Sequence, residues 1–86
     1  MYYLYILKCK DDTLYTGITM NVHRRVKEHN TSNLGAKYTR SRRPVRLLYS
    51  SRPFETRAEV SQEEYRVKQL TRAQKLSMIK AARKAR

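Results

Sequence analysis

Two short segments rich in aromatic and aliphatic residues, 2–8 and 13–19, limit what this 86-residue chain can fold into. Each segment has the composition of a β-strand, and the polar Lys10-Asp11-Asp12 run between them is typical of a tight turn. The two segments therefore predict an antiparallel β-hairpin.

The register of this hairpin follows from the side chains that must share a face. Side chains alternate between the two faces of a strand, so residues of one parity lie together. Burying the even-numbered aliphatic residues on one face requires paired residues whose numbers sum to an even value, as a three-residue loop provides. The even set is Leu4, Ile6, Leu14 and Ile18, and the odd set is Tyr3, Tyr5, Tyr15 and Gly17. We expect Tyr5 and Tyr15 together on the second face, either as a packing pair or in a site.

Gly17 interrupts the second strand and is one of two glycines in the chain. Glycine weakens a strand unless another group must approach the backbone closely or the strand bulges. We expect a phosphate group or a crossing helix to occupy the space beside Gly17, or steric packing to require it.

A helix is predicted from Val22 to about Asn30, with Asn21 as its N-cap. Arg25 and His29 fall on the buried stripe, in the series Val22, Arg25, Val26 and His29. An arginine on an inner face is costly unless it meets an anion. The alternatives are an internal ion pair or a side chain that snorkels to solvent.

The rest of the chain predicts one more strand and two more helices. A polar loop, 31–44, holds at most one helical turn near residues 36–38, and the alternation of Val45, Leu47 and Tyr49 predicts a strand over 45–51. Two capping boxes start helices at Thr56 and Thr71. We expect one domain, residues 1–86, with a core of about residues 2–80 and a basic C-terminal tail.

Glu64 interrupts an otherwise uncharged stripe of the helix that follows Thr56, formed with Val60, Val67 and Thr71. A carboxylate in such a position needs a cation or a metal ion. Lys68, one helical turn further on, offers the alternative of a simple i,i+4 ion pair.

The charge of the chain predicts a polyanionic partner. The formal net charge is +13, from 20 Lys and Arg against 7 Asp and Glu. The loop before the third strand interleaves an aromatic residue with cations, which suits base stacking and phosphate contact, although a solvated charged loop has the same composition. These residues are Lys37, Tyr38, Arg40, Arg42 and Arg43.

Composition also limits where the protein acts. The chain has no apolar run of membrane-spanning length and no signal-peptide pattern at its first residues. Cys9 is the only cysteine, so neither an internal disulfide nor a cysteine-rich zinc site is expected. We expect a cytoplasmic protein with no membrane contact.

The order and spacing of these motifs resemble the GIY-YIG nuclease superfamily, in particular its small standalone bacterial members of the UPF0213 type. Tyr3-Leu4-Tyr5 and Tyr15-Thr16-Gly17 stand at the two named motifs, and the resemblance extends to about Ile79. Arg25, His29 and Glu64 match the family arginine, a Tyr or His one turn later, and the metal-binding glutamate.

The resemblance implies an α+β fold, with a three-stranded antiparallel sheet flanked by helices in the order β-β-α-β-α-α. It also implies hydrolysis of a nucleic-acid phosphodiester with one Mg²⁺ or Mn²⁺ ion, on DNA rather than RNA, in DNA repair or processing. In that interpretation the catalytic residues are Tyr5, Tyr15, Arg25, His29 and Glu64, with Glu64 as metal ligand and Gly17 beside the site. A protein partner would supply specificity.

Two differences from the family pattern leave a competing interpretation open. Ile18 stands where many members have a lysine, and no asparagine follows Asn33. A structure-selective nucleic-acid-binding module with little or no catalysis therefore remains the alternative. A third class is an RNA-associated or ribosomal accessory protein.

Overall fold

The computed structural model describes residues 1–32 and 34–84. Within those residues it contains a three-stranded antiparallel sheet and four helices, which confirms the predicted fold class. In chain order the elements are β1 (Tyr3–Lys8), β2 (Leu14–Thr19), α1 (Val22–Thr31), α2 (Lys37–Arg40), β3 (Arg46–Ser50), α3 (Arg57–Lys68) and α4 (Arg72–Lys84). The short helix α2 lies where the sequence predicted a single helical turn.

The hairpin has the register that the parity argument predicts. β1 is the central strand, and it pairs with β2 so that Tyr5 lies opposite Gly17 and each pair of residue numbers sums to 22. A hydrogen bond from the Cys9 amide to the Thr13 carbonyl continues the pairing and closes a three-residue loop. Asp12 in that loop has a φ of 68°, a left-handed conformation that aspartate tolerates better than most residues.

The sheet separates two hydrophobic clusters. On one face the even-numbered residues of the hairpin pack against α3 and α4, with Leu4, Ile6, Val60 and Val67 almost completely buried. On the other face Tyr5 and Leu7 pack with Tyr15 and the α1 residues Val22 and Val26. The predicted separation of the aliphatic and tyrosine sets is therefore confirmed.

β3 departs from the predicted simple alternation. Ile6 pairs with Tyr49 and Leu7 pairs with Leu47, so that Leu48 is an extra residue in the β3 strand. Such a bulge moves the residues beyond it to the other face. Val45 consequently packs with Tyr5, whereas Tyr49 packs on the opposite face of the sheet.

The predicted helix starts are confirmed by their caps. The Asn21 side chain accepts a hydrogen bond from the Arg24 amide at 3.0 Å, and Thr56 accepts one from the Glu59 amide at 3.2 Å. α4 continues to Lys84, so residues 81–84 of the predicted basic tail are helical. The end of that tail, Ala85 and Arg86, lies outside the described residues.

None of the helices in residues 1–32 and 34–84 is long and apolar enough to cross a membrane.

Candidate active site

A buried chain of three polar side chains lies between the sheet and α1. The Tyr5 hydroxyl is 2.8 Å from His29 Nε2, and His29 Nδ1 is 2.8 Å from the hydroxyl of Thr39 in α2. The exposed fractions of Tyr5, His29 and Thr39 are 1%, 0% and 0%. β1 points Tyr5 to the α1 face, and the helical stripe that starts at Val22 brings His29 above it.

His29 is neutral in this setting. Burial lowers its pKa to about 4, and the positive charge of Arg25 contributes in the same direction. The Thr39 hydroxyl donates to the Ala36 carbonyl at 2.9 Å, so its oxygen is free to accept from the imidazole. We therefore assign the imidazole proton to Nδ1, which leaves Nε2 to accept from the Tyr5 hydroxyl. The Ala36 amide also approaches Nδ1, but at 3.4 Å this is a weaker contact than the 2.8 Å one with Thr39, and the shorter contact decides the assignment.

Tyr5 is held as a protonated phenol. Burial raises its pKa to about 12, against the opposing effect of a hydrogen bond with Arg25. Its ring lies against Gly17, where an added Cβ would be 2.5 Å from the Tyr5 hydroxyl oxygen and 2.6 Å from Cζ. The group that needs the close backbone approach at Gly17 is thus the Tyr5 side chain, rather than a phosphate or a crossing helix.

Tyr15 covers this buried chain on its outer side. Its ring centroid is 5.3 Å from that of His29 in an edge-on contact and 6.4 Å from that of Tyr5. Tyr38 of α2 stacks on Tyr15 with the ring centroids 5.9 Å apart. The Arg42 guanidinium lies over the Tyr38 ring, 4.0 Å from its centroid. Both contacts engage the Tyr38 ring, so a nucleic-acid base stacks on the face under Arg42 only if Arg42 moves.

A depression of about 250 Å³ opens beside Tyr15 at the free edge of β2, and Thr16, Tyr38, Lys68 and Lys75 also line it. Tyr15 is half-buried, in contrast to Tyr5 and His29, and is the tyrosine of the predicted pair that solvent reaches. Thr16 is 5% exposed, and its hydroxyl has no hydrogen-bond partner among the described residues. A buried hydroxyl without a hydrogen-bond partner costs about 1–3 kcal/mol of folding stability. The Thr16 residue that carries this cost lies beside the depression.

Arg25 joins the buried chain to the surface. Its Nη1 donates to Glu28 at 3.0 Å and to the Leu34 carbonyl at 2.6 Å, and its guanidinium lies close enough to the Tyr5 hydroxyl to oppose the rise of the Tyr5 pKa. The internal ion pair expected as one alternative is thus present. A quarter of the side chain remains exposed, so an anion can reach it.

Glu64 lies on α3, on the other side of the sheet from the tyrosine rings. Its carboxylate is 3.3 Å from Lys68 Nζ, and 26% of its side chain is exposed. No hydrogen bond joins Glu64 to Tyr5 among the described residues, although the negative charge of Glu64 contributes to the raised pKa of the Tyr5 hydroxyl. The predicted site residues therefore form a packed group of Tyr5, Tyr15, Arg25 and His29, with Glu64 at its edge.

Glu64 fits a hard divalent cation as a single carboxylate ligand. No group of three or more His, Cys, Asp or Glu side chains suited to a metal occurs in the described part of the chain. Mg²⁺ retains several waters and needs only one or two carboxylates when a substrate supplies phosphate oxygens. The donor set present suits such an ion and does not suit a closed structural zinc site.

The loop cations predicted to bind nucleic acid have different surroundings. Arg43 donates to the carbonyls of His29 and Ser32 and so caps the end of α1. Arg42 pairs with Asp11 at 3.0 Å and donates to the Tyr38 carbonyl. Lys37 and Arg40 lie in α2, and their side chains are exposed.

Two residues of the site were missed by the sequence analysis. Thr39 lies in a loop segment without periodicity, where nothing marks one threonine as buried. Thr16 lies in the second motif, but its unpartnered hydroxyl depends on the packing of α3 against β2.

Comparison with known proteins identifies a family for this chain. A family model described as the GIY-YIG catalytic domain matches residues 1–77. The chain is 51% identical to a UPF0213 protein of Desulfotalea psychrophila over 83 residues, which cover 96% of this chain and 74% of the relative. It is 54% identical to a UPF0213 protein of Clostridium perfringens over 79 residues, which cover 92% and 83%.

Two solution NMR structures share the fold. The UPF0213 protein of Bacillus halodurans superposes with a TM-score of 0.59 at 45% identity, covering 94% of this chain and 85% of that one. A protein of E. faecalis superposes with a TM-score of 0.64 at 43% identity, covering 95% and 85%. The chain therefore belongs to the GIY-YIG catalytic domain family, which implies nuclease-type hydrolysis of nucleic acid.

Proposed function

We propose that this protein is an endonuclease-like phosphodiesterase that uses one Mg²⁺ or Mn²⁺ ion and acts on DNA in preference to RNA, in repair or processing. The observation that carries the proposal is the hydrogen-bonded series from Thr39 through His29 to Tyr5, with the Arg25 guanidinium close to the same hydroxyl. Nucleases of this domain type generally depend on a divalent metal.

The tyrosines have different roles in this proposal. Tyr15 is the accessible tyrosine, so it orients or deprotonates the attacking water. Tyr5, with a pKa of about 12, stays protonated at neutral pH and ranks second as a base. Its hydroxyl and the neutral His29 hold the ring system in one arrangement, so that Tyr15 has a fixed position.

Arg25 and Glu64 act on the phosphate. Arg25 holds the negative charge that builds on the phosphoryl oxygens, and its partial exposure supports this role. Glu64 holds the metal ion, which when bound polarises the phosphate and stabilises the leaving oxygen. Without a metal ion, Glu64 is paired with Lys68, so the metal ion and the Lys68 ammonium group compete for one carboxylate.

The test is Glu64→Gln, with Glu63→Gln as its matched control. Glu63 is the adjacent residue on α3 and pairs with Arg66 rather than Lys68. We expect Glu64→Gln to lose cleavage by at least about a hundredfold, since metal-ion catalysis supplies several kcal/mol, and Glu63→Gln to keep it. The assay covers single-stranded, duplex, flapped and branched DNA and RNA with Mg²⁺ and Mn²⁺.

Binding without metal should be retained or tighter in Glu64→Gln, because a negative charge near the phosphate is removed. Full cleavage activity in Glu64→Gln would contradict the metal role of this residue. Equal losses in both variants would point to the charge of α3 rather than to a metal ligand.

A binding module with little catalysis is the second candidate. The observation that favours it is that Arg25 and Glu64 are both already partnered within the protein, by Glu28 and Lys68. Such a module would bind the same substrates without metal and would cleave none of them in the panel above.

A further inference from the structure

Three neighbouring depressions with shared walls extend from Tyr15 around the free edge of β2 to α4. The first is the depression beside Tyr15, which Leu14 and Lys75 also line. The second, of about 180 Å³, shares Leu14 and Lys75 with the first and adds Arg72. The third, of about 500 Å³, shares Leu14 and Arg72 with the second and lies between β3 and α4. We call the third depression the α4 groove.

Cations line this surface throughout. Lys68 and Lys75 lie at the Tyr15 end, Arg72 in the middle, and the cations of the α4 groove are Lys8, Arg46, Arg72, Lys80 and Arg83. No carboxylate lines any of the three depressions within the described residues. Lys8 is paired with Asp12 and Lys68 with Glu64, both outside the lining. The other lining cations, which include Arg46, Lys80 and Arg83, have no carboxylate within ion-pair distance in residues 1–32 and 34–84. A surface with so many cations and so few acids favours a polyanion.

The unpartnered hydroxyl of Thr16 is a separate observation at the start of this surface. Thr16 lines the first depression together with two lysines, and its buried oxygen lacks a hydrogen-bond partner in the described structure. The oxygen exposes less than 1 Å², so a phosphate oxygen beside Lys68 and Lys75 would supply the missing acceptor once the Thr16 side chain turns its hydroxyl toward the depression.

We propose that the substrate strand leaves the candidate active site past Thr16, crosses the edge of β2 and continues along α4 into the α4 groove. This inference rests on the proposed function, because it extends the same site. α4 rises about 1.5 Å per residue, so Arg72 to Arg83 spans roughly 16 Å, which equals the axial rise of about five nucleotides in B-form DNA. The substrate contact is thus made by α3 and α4, in addition to the loop that contains Arg42 and Arg43.

An acidic peptide is the competing occupant of the α4 groove, because its floor is aliphatic, with Leu14, Leu48, Leu76 and Ile79. Continuity with the depression beside Tyr15 favours the nucleic acid. A peptide held only in the α4 groove would also leave the Thr16 hydroxyl without a partner.

The experiment compares two charge-reversal pairs of equal net charge. The groove variant combines Lys80→Glu with Arg83→Glu. The control variant combines Lys27→Glu with Arg57→Glu, which are exposed cations on α1 and α3 outside the three depressions. Binding of a single-stranded DNA of about twelve nucleotides is measured without metal across a salt series. We expect the groove pair to weaken binding at least about tenfold and to make the salt slope shallower by about 1.4, while the control pair has a much smaller effect.

Thr16→Val is the second variant. It replaces the unpartnered hydroxyl with a methyl group, so we expect the protein to unfold at the same temperature or higher while its DNA binding weakens. Unchanged DNA affinity in this variant would remove Thr16 from the path.

Amide NMR shifts distinguish the two occupants. We expect the single-stranded DNA to shift the amides of residues 72–83, and a peptide of alternating Glu and Leu to shift them much less. Shifts from the peptide alone, or equal weakening by both charge-reversal pairs, would overturn the proposal. These binding measurements use no metal, so they test the path along α4 independently of catalysis. The path can be wrong while Glu64→Gln still abolishes cleavage, and it can be right even if no cleavage is found.

Discussion

The two sides of the sheet are built in opposite ways. On the α1 side, Tyr5, His29 and Thr39 are fully buried, and hydrogen bonds of 2.8 Å join them. On the α3 and α4 side, the charged groups near the free edge of β2 are partly exposed, unlike the buried Thr16, and a single ion pair of 3.3 Å holds Glu64 to Lys68.

This difference indicates a division of labour. Groups that must keep one geometry are fixed by burial, where a lost partner is costly. Groups that must exchange partners, such as a metal ligand and phosphate-binding cations, lie where water can replace each partner at little cost. If this division holds, variants on the α1 side should change stability most and variants of the Glu64 ion pair least.

Replacing His29 should have the largest effect on stability. We expect His29→Ala to lower the free energy of unfolding by about 3–4 kcal/mol, because it opens a cavity and leaves the Tyr5 and Thr39 hydroxyls unpaired. His23→Ala on the same helix is the matched control, since His23 is exposed, and its effect should stay within about 0.5 kcal/mol. Urea unfolding of both variants measures the difference, and similar losses would show that burial of His29 contributes little.

The pH dependence of stability should also depend on His29. Its pKa is about 4 in the folded protein against an ordinary value of 6.5, so the unfolded chain binds the proton more tightly. This contribution is therefore complete above about pH 6.5 and is lost as the pH falls toward 4, by about 2–3 kcal/mol between pH 7 and 4.5.

Unfolding at a series of pH values tests this linkage. His29→Gln should remove that part of the decline, whereas His23→Ala should keep it. An identical decline in all three proteins would assign it to the carboxylates instead.

Lys68→Gln should have the smallest effect on stability and a measurable effect on metal binding. Loss of the i,i+4 ion pair with Glu64 costs about 0.3–0.5 kcal/mol. The freed carboxylate should then bind Mn²⁺ more tightly in a calorimetric titration. Lys75→Gln is the control, because Lys75 lines the same depression without pairing with Glu64. Weaker Mn²⁺ binding in Lys68→Gln would contradict competition for Glu64.

Local rules were enough to predict most of the fold. Parity defined the hairpin register, and side-chain caps marked the starts of α1, α3 and α4. The bulge at Leu48 was not predictable, because an extra residue in one strand is visible only when its partner strand is known.

The site was predictable to the extent that motif spacing reflects helix and strand geometry. The convergence of Tyr5, Tyr15, Arg25 and His29 follows from two strand positions and one helical turn. The contacts of Thr39, Arg42 and Arg43 depend on how an irregular loop folds back over α1, which residue spacing does not encode.

Because of the contact between Gly17 and Tyr5, these two positions of the chain can be expected to change only together. Any side chain at position 17 would occupy the space of the Tyr5 ring, whose hydroxyl is fixed by His29 and Arg25. A change at position 17 can therefore be accepted only together with a shorter residue at position 5, and that second change removes a residue of the proposed site. A descendant of this chain that lost Gly17 would have to abandon the present form of the site, even if it kept its sheet and its charge.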